Sequence, residues 1–465
     1  MIKPFTVVKI LLLLGLIWGL IFSLNTRNEI QLGSFTLKIP TLESIIKPQK
    51  FSVNTYPPST NKSKNVNKAN TKISGKFVVD SLEVDWIQHP PNNQNVLFSF
   101  YHKIKIEKSK DIIRILHFGD SQIEGDRISS VLREELQKIW GGSGTGFLPL
   151  SENNLGKPSA QIQLNNWQKH QWFNSKQNAP HNLYGFTGYF HQLQNTLNPG
   201  IFSVKTSGFA LPKSLHFKNI KLLFNSKNQE FNCIVEQKNK ASISQNSLAT
   251  EEVQLLTIPF LSNLKQNVSF TLTGATNNID FYGISLDSDT GITVDNIPMR
   301  GSSYINVSKA NFKNLKHQLD YLNVGLIIYQ FGINVVPNIL SNYDFYEKMV
   351  FNELVLLKKL VPNAAILVIG ISDMSYFTND QYQSYPNLEL IKQAQKNAAF
   401  ANNCAFWDLQ EVMGGTNSMV DWVNSQPPLA QPDHAHFSPA GAKIIGKKLA
   451  QAIEQDYKDY MSLQE

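Results

Sequence analysis

Two short strings near opposite ends of this chain carry residue types that can do chemistry together. Gly119-Asp120-Ser121 supplies a hydroxyl, and Asp433-His434-Ala435-His436 supplies a carboxylate and two imidazoles. A serine hydroxyl is a weak nucleophile until an adjacent base takes its proton, and that base needs a third group to fix its tautomer. The chemistry these types imply is acyl transfer through a covalent serine intermediate. Asp120 is expected to hold its turn by accepting backbone N–H groups. His117 reads as a packed core residue.

The elements around Ser121 sharpen this. Ile112, Ile113, Ile115, Leu116 and Phe118 form a short β-branched apolar run, the pattern of a buried parallel strand. After Arg127, apolar residues at Ile128, Val131, Leu132, Leu136 and Ile139 keep helical spacing, and Gly141-Gly142 ends it. Ser121 therefore sits where the carboxyl end of a strand turns toward a helix, the place where open α/β sheets put ligands. A second apolar strand, from Val324, ends in Gly332-Ile333-Asn334, and Asp295–Ser303 reads as a polar loop around Gly301.

With these blocks in place the chain resembles the SGNH, or GDSL-type, hydrolase superfamily over roughly residues 77–465. Ser121, Gly301, Asn334 and His436 match the four blocks in order, and Asp433 matches the acid three residues before the histidine. The resemblance implies that Ser121 is the nucleophile, His436 the general base and Asp433 its partner; His434 is the competing base, but its spacing from Asp433 fits that pattern less well, and it reads as a surface histidine. It also implies an oxyanion hole made by the N–H groups of Ser121 and Gly301 and the amide of Asn334, since donors must point in advance at the oxygen that gains charge. Gly301 lies 180 residues after Ser121, far more than a minimal SGNH domain needs. That insertion is similar to the peptidoglycan O-acetylesterase branch, as are Gly125-Asp126-Arg127, Met413-Gly414-Gly415 with Trp422, and Leu429–Asp433. Gln122 departs from the pattern, because many relatives have His there; the departure bears on the acyl substrate.

The expected fold is a three-layer α/β/α domain with a parallel sheet, split by an antiparallel, jelly-roll-like β-sandwich. Strands at 324–331, 365–370 and 404–409 alternate with helices near 344–360 and 389–402, and a last helix starts at Pro439. Between 150 and 285, short strand-like runs separated by Asn, Ser, Gly and Lys give the sandwich. Trp167, Trp172, Tyr184, Phe186, Tyr189 and Phe190 are expected to close its core, with stacking on sugar rings the alternative. Asp373 and Asp408, at the ends of later strands, need only a sheet-edge hydrogen-bonding role. The division is 1–30 cytoplasmic tip and anchor, 31–76 basic linker, 77–149 and 286–465 catalytic, and 150–285 inserted carbohydrate-binding-like module.

Ile10–Leu24 is an apolar run with Lys3 and Lys9 before it and no small-residue cleavage site after it, which reads as an uncleaved membrane anchor. The expected location is the inner membrane, single-pass, with the catalytic part on the periplasmic side. Seven lysines and no acidic residue lie between Ile45 and Val79, and they equal the whole net charge of +7. The rest of the chain is balanced, so the basic charge is no sign of nucleic-acid binding. Cys233 and Cys404 make no disulfide framework, no metal-ligand spacing occurs, and no cofactor is expected. The resemblance implies an exported esterase acting on O-acetylated glycan, peptidoglycan or another envelope polysaccharide. An O-acetyltransferase using the same acyl-enzyme and a non-catalytic glycan binder are the alternatives.

Overall fold

The computed structural model describes residues 29–32, 35–38, 86–150, 159–173, 179–275 and 277–464. The chain divides into two compact units, 1–76 and 77–465. In the first unit β1 (Glu29–Leu32) pairs antiparallel with β2 (Phe35–Lys38), so the expected linker contains a hairpin. The anchor expected over Ile10–Leu24 and the lysine-rich stretch lie outside the described residues. Among the described residues no helix is long and apolar enough to cross a membrane.

The second unit opens with α1 (Phe98–Glu107), β3 (Ile112–Gly119) and α2 (Ser129–Trp140). Next come β4 (Gly144–Leu148), β5 (Gln161–Asn165), β6 (Trp167–Gln171), β7 (Tyr189–Leu193) and β8 (Gly200–Lys205). They are followed by β9 (His216–Asn225), β10 (Asn232–Gln237), β11 (Ile243–Asn246), β12 (Val253–Asn263), β13 (Val268–Thr273) and β14 (Asp280–Asp287). These strands form two facing antiparallel sheets, ordered β11-β10-β13-β8-β5 and β12-β9-β14-β7-β6, with β4 paired to β14. The sandwich thus begins at Gly144 rather than 150. Its interior is filled from both sheets by Phe202, Phe224, Phe270 and Phe281 among others.

The chain then returns to the parallel-sheet layer through β15 (Gly291–Pro298), α3 (Phe312–Asp320), β16 (Val324–Gln330), α4 (Asp344–Leu360) and β17 (Ala365–Ile369). A hairpin, β18 (Ser375–Thr378) and β19 (Gln381–Ser384), precedes α5 (Leu388–Ala401), β20 (Ala405–Trp407), α6 (Leu409–Met413), α7 (Ser418–Asn424) and α8 (Pro439–Ser462). Strands β15-β3-β16-β17-β20 form an all-parallel sheet. All eight residues of β3 are buried, as a parallel strand covered on both faces requires. Ile113 and Ile115 pack on the side of α1, α2 and α8; Leu116 and Phe118 pack on the side of α3, α4 and α5.

Three expectations change. The stretch read as a polar loop from Asp295 is, up to Pro298, the last half of β15. Its polar side chains are buried because partners meet them: Asn296 donates to the Ile123 carbonyl and to Ser129 Oγ, both at 2.9 Å. The aromatic group does not close the sandwich. Trp172, Tyr184, Phe186, Tyr189 and Phe190 belong to the same apolar cluster as Leu116, Phe118 and Ile327 of the parallel sheet, while Trp167 alone of the six packs on the sandwich core. These rings seal the seam between the insert and the parallel-sheet layer. The insert is built onto the sheet, not hung from it.

A buried polar junction spans the same seam. Arg114 of β3 donates from Nη1 to both oxygens of Asp295, at 2.9 and 3.0 Å, and from Nη2 to Ser285 Oγ at 2.7 Å and to Asp287 of the sandwich. Asp295 Oδ1 also accepts the Phe147 N–H of β4 at 2.8 Å. Burial works against the Arg114 charge, but Asp287 and Asp295 outweigh it and hold the guanidinium protonated. Removing one side of such a buried pair strands the other charge in a dry interior. Arg114→Met should therefore cost about 3–5 kcal/mol of stability, read as a lowered midpoint in urea unfolding.

Candidate active site

Ser121 begins the turn that leaves β3. Gly119 ends that strand because a Cβ there would lie 2.8 Å from the Gln330 carbonyl and 2.9 Å from Ile123 Cδ1. Only a residue without a side chain lets the ends of β3 and β16 come this close. Asp120 then ties the two strand ends together. One carboxyl oxygen accepts the Gln122 N–H at 3.0 Å, and the other accepts the Ile333 N–H at 3.3 Å. Burial pushes this carboxyl up to about 7, against the lowering effect of the backbone N–H groups of Gln122, Ile333 and Gly332.

Across the turn, Ser121 Oγ lies 2.8 Å from His436 Nε2, and His436 Nδ1 lies 2.7 Å from Asp433 Oδ2. With the ring proton on Nδ1, donated to Asp433, Nε2 is free to accept from the serine hydroxyl. Asp433 is itself fixed: its Oδ1 accepts the N–H groups of Ala435 and His436, each at 3.0 Å. Burial pushes the Asp433 carboxyl up, but the backbone and ring hydrogen bonds from His436 and the Ala435 N–H outweigh it and leave it below the ordinary carboxylate value. Ser121 is buried at 7% exposure, whereas the His436 side chain is 29% exposed. The hydroxyl is recessed beneath a base that water can reach.

Two side chains that the sequence reading did not place in the site hold these segments together. Gln122, treated there as bearing on the acyl substrate, is buried and donates to the Ala435 carbonyl at 2.7 Å and to Ser372 Oγ at 3.1 Å. Arg127 donates to the Ser121 carbonyl at 2.7 Å and to the Phe437 carbonyl at 3.3 Å. Both bridge the serine turn to the histidine loop. The string Gly125-Asp126-Arg127 was the sequence signal for Arg127; nothing marked Gln122 as a brace. Trp422 supports the approach to the loop, since its carbonyl accepts the Leu429 and Ala430 N–H groups and its Nε1 donates to Met413.

His434 is not a surface residue. It is 6% exposed, and its ring stacks on Tyr382 of β19 with centroids 3.6 Å apart. That contact comes from a hairpin fifty residues away in sequence, which is why spacing alone did not reveal it. His117 is fully buried between Gln330 Oε1 and Ser129 Oγ, each at 2.9 Å, and burial lowers its pKa to about 4. Asp373 accepts from Ser384 Oγ and the Met419 N–H, and Asp408 caps α6 through the Glu411 N–H.

Gly301 follows β15 and Asn334 follows β16, at the same end of the sheet as Ser121. Gly301 has φ +78°, and nothing lies within 4 Å of where a Cβ would stand, so the backbone there is approachable. Asn334 is exposed and donates one amide hydrogen to the Ser302 carbonyl at 2.9 Å. A side-chain amide has two hydrogens, and the second remains for a ligand. Among the described residues no group of three or more His, Cys, Asp or Glu is arranged to hold a metal ion. Cys233 and Cys404 are buried, and burial pushes both thiols up to about 12.

A parallel sheet layered by helices, with the serine after β3 and Asp-x-x-His before α8, has the fold of the SGNH-type hydrolases, here interrupted by a sandwich, and its site has serine-hydrolase geometry. A solved peptidoglycan O-acetylesterase is similar in fold, at 22% identity and a TM-score of 0.61 over 79% of this chain and 96% of that one. A GDSL-like lipase from Parabacteroides merdae (12% identity, 35% of this chain, 73% of that one, TM-score 0.28) overlaps too little to bear on the fold. A family two carbohydrate esterase from Cellvibrio japonicus (11% identity, 69% of this chain, 99% of that one) superposes with a TM-score of 0.21, too low to bear on the fold. No protein-family model matches the chain, and no curated protein matches it.

The Asp433 contacts set a pH dependence. A carboxyl held below its unfolded value contributes stability that is present above about pH 4 and is lost as pH falls through the folded value. The gap in unfolding free energy between the native protein and Asp433→Asn should narrow as pH falls below about 4. The half-exposed position of Asp433 keeps that gap small. Urea unfolding at stepped pH reads it directly.

Proposed function

We propose that the protein is an exported serine esterase that removes O-acetyl groups from cell-wall glycan, with O-acetylated peptidoglycan as substrate. The observation that carries this reading is the unbroken relay from Ser121 Oγ through His436 to Asp433. Support for a glycan ester comes from the likeness in fold to a peptidoglycan O-acetylesterase, which extends over 79% of this chain and so includes insert as well as catalytic layer. The apolar run at Ile10–Leu24 supports a membrane tether, with the lysine-rich stretch leading to a catalytic unit on the extracytoplasmic side.

In this mechanism Ser121 Oγ gives its proton to His436 Nε2 as it bonds to the acetyl carbonyl carbon. Charge gathers on the carbonyl oxygen, where the N–H groups of Ser121 and Gly301 and the free amide hydrogen of Asn334 serve as donors. The C–O bond to the sugar breaks and the sugar oxygen takes the proton from His436, leaving acetyl-serine. Water, deprotonated by His436, then attacks that ester and releases acetate and free Ser121. Asp433 stabilises the imidazolium formed in both halves.

The test is acetate release from purified O-acetylated peptidoglycan, set beside acetylated xylan and a lipid ester. Release from peptidoglycan is expected to dominate; preference for the lipid ester overturns the glycan reading, and transfer to an added glycan in place of acetate release makes the enzyme a transferase. Ser121→Ala should fold normally by circular dichroism and lose activity by several orders of magnitude, as expected when the covalent route is removed. Asn334→Ala should lower kcat by roughly 10²–10³, the loss that accompanies one oxyanion donor. An effect of Asn334→Ala confined to KM would instead make it a substrate-binding residue.

A further inference from the structure

The β18–β19 hairpin stands beside the histidine loop and presents aromatic rings to water. Its turn residues Asn379 and Asp380 have φ of +48° and +60°, the left-handed pair of a tight type I′ turn. Phe377 and Tyr382 face each other across the two strands, with centroids 5.2 Å apart in an edge-to-face arrangement. Phe377 is 59% exposed and Tyr382 is 44% exposed. Tyr382 lies flat on His434, the residue between Asp433 and the catalytic loop's Ala435 and His436. At its base the hairpin is pinned to the same loop by the Ser375 N–H, which donates to the His434 carbonyl at 3.1 Å. A second pin is Ser384 Oγ, which donates to Asp373 at 2.6 Å. The rings are thus held rigidly against the wall of the site without serving a core.

We infer that Phe377 and Tyr382 form an aromatic subsite that stacks against a sugar ring of the glycan carrying the scissile acetyl group. The axial C–H face of a pyranose is apolar and carries slight positive charge, which suits the negative face of an aromatic ring. The surroundings fit a polyhydroxyl ligand: Asn379, Gln381 and Gln383 on the hairpin and Asn417 beside Ser384 supply neutral donors and acceptors. Residues 375–384 contain no lysine or arginine and one acidic residue, Asp380, so the hairpin has no positive charge with which to seek anionic lipid. Rigid, pre-placed rings bind with little loss of side-chain freedom. The chain's own glycan-binding contact then lies next to the triad, separate from the inserted sandwich. This inference rests on the esterase reading above and extends it to a named contact.

The experiment compares kcat/KM for O-acetylated peptidoglycan fragments with kcat/KM for p-nitrophenyl acetate, which has no sugar, in the full chain and in Phe377→Ala. The expected result is a fall of about threefold to tenfold in the ratio of the two, carried by KM for the glycan. Phe377→Tyr, which keeps a ring, should restore the ratio; Phe377→Ser, checked by circular dichroism, should reproduce the loss. A ratio that stays level in both ring-removing variants overturns the subsite. Equal losses on both substrates also overturn it, because the hairpin would then act only on the geometry of the triad. A native protein that cleaves p-nitrophenyl acetate but no acetylated glycan overturns the glycan-substrate reading itself, and the subsite with it.

Discussion

The Arg114 guanidinium, closed off between Asp295 and Asp287, is the contact on which the architecture turns. It sits on β3, the strand that delivers Ser121, and it reaches β15 on one side and β14 of the sandwich on the other. Three charges buried together are unfavourable apart and tolerable only in one mutual arrangement. That arrangement sets where the chain leaves the sandwich and re-enters the parallel sheet, with only residues 288–290 between the two strands. The aromatic seam from Trp172 to Phe190 adds apolar burial over the same boundary. An insertion that interrupts a domain this deeply must be docked in a fixed pose, or the strands on either side of it would lose their register.

A second level of constraint operates at the strand ends. Ser121, Gly301, Asn334 and His436 come from four separated segments, and hydrogen bonds to backbone atoms bring these segments together. Asp120 joins the serine turn to the turn after β16, Asn334 joins that turn to the loop carrying Gly301, and Gln122 and Arg127 join the serine turn to the histidine loop. Each is a side chain aimed at a carbonyl or an N–H that would otherwise lack a partner, and all but the exposed Asn334 are buried or half-buried. Such bracing fixes the four segments relative to one another at one end of the parallel sheet. The hairpin over His434 adds two further fixed contacts to the histidine loop, through the Tyr382 ring and the Ser375 N–H.

Local pattern alone determined a large part of this protein. The apolar run before Ser121, the helical rhythm to Ile139, the strands near 324, 365 and 405 and the helix from Pro439 all appear in the structure within a residue or two. Such elements are legible because periodicity and capping are properties of neighbouring residues. That Ser121, His436 and Asp433 meet was legible for a different reason: Ser, Asp and His carry chemistry that few other roles demand, and their blocks occur in a recognisable order. Tertiary structure alone decided what depends on partners distant in the chain. Asp295 and Asn296 looked like loop residues because no local pattern shows that Arg114, Ile123 and Ser129 will satisfy them. Trp172, Tyr184 and Phe186 carry the same apolar character whether they face the sandwich or the sheet, and only the docking of the two layers chose the sheet. Gln122 became a brace and His434 a buried stacking partner because the histidine loop folds over one and the 375–384 hairpin over the other. Residue type sets what a side chain can do, and the contacts made across hundreds of residues set what it does.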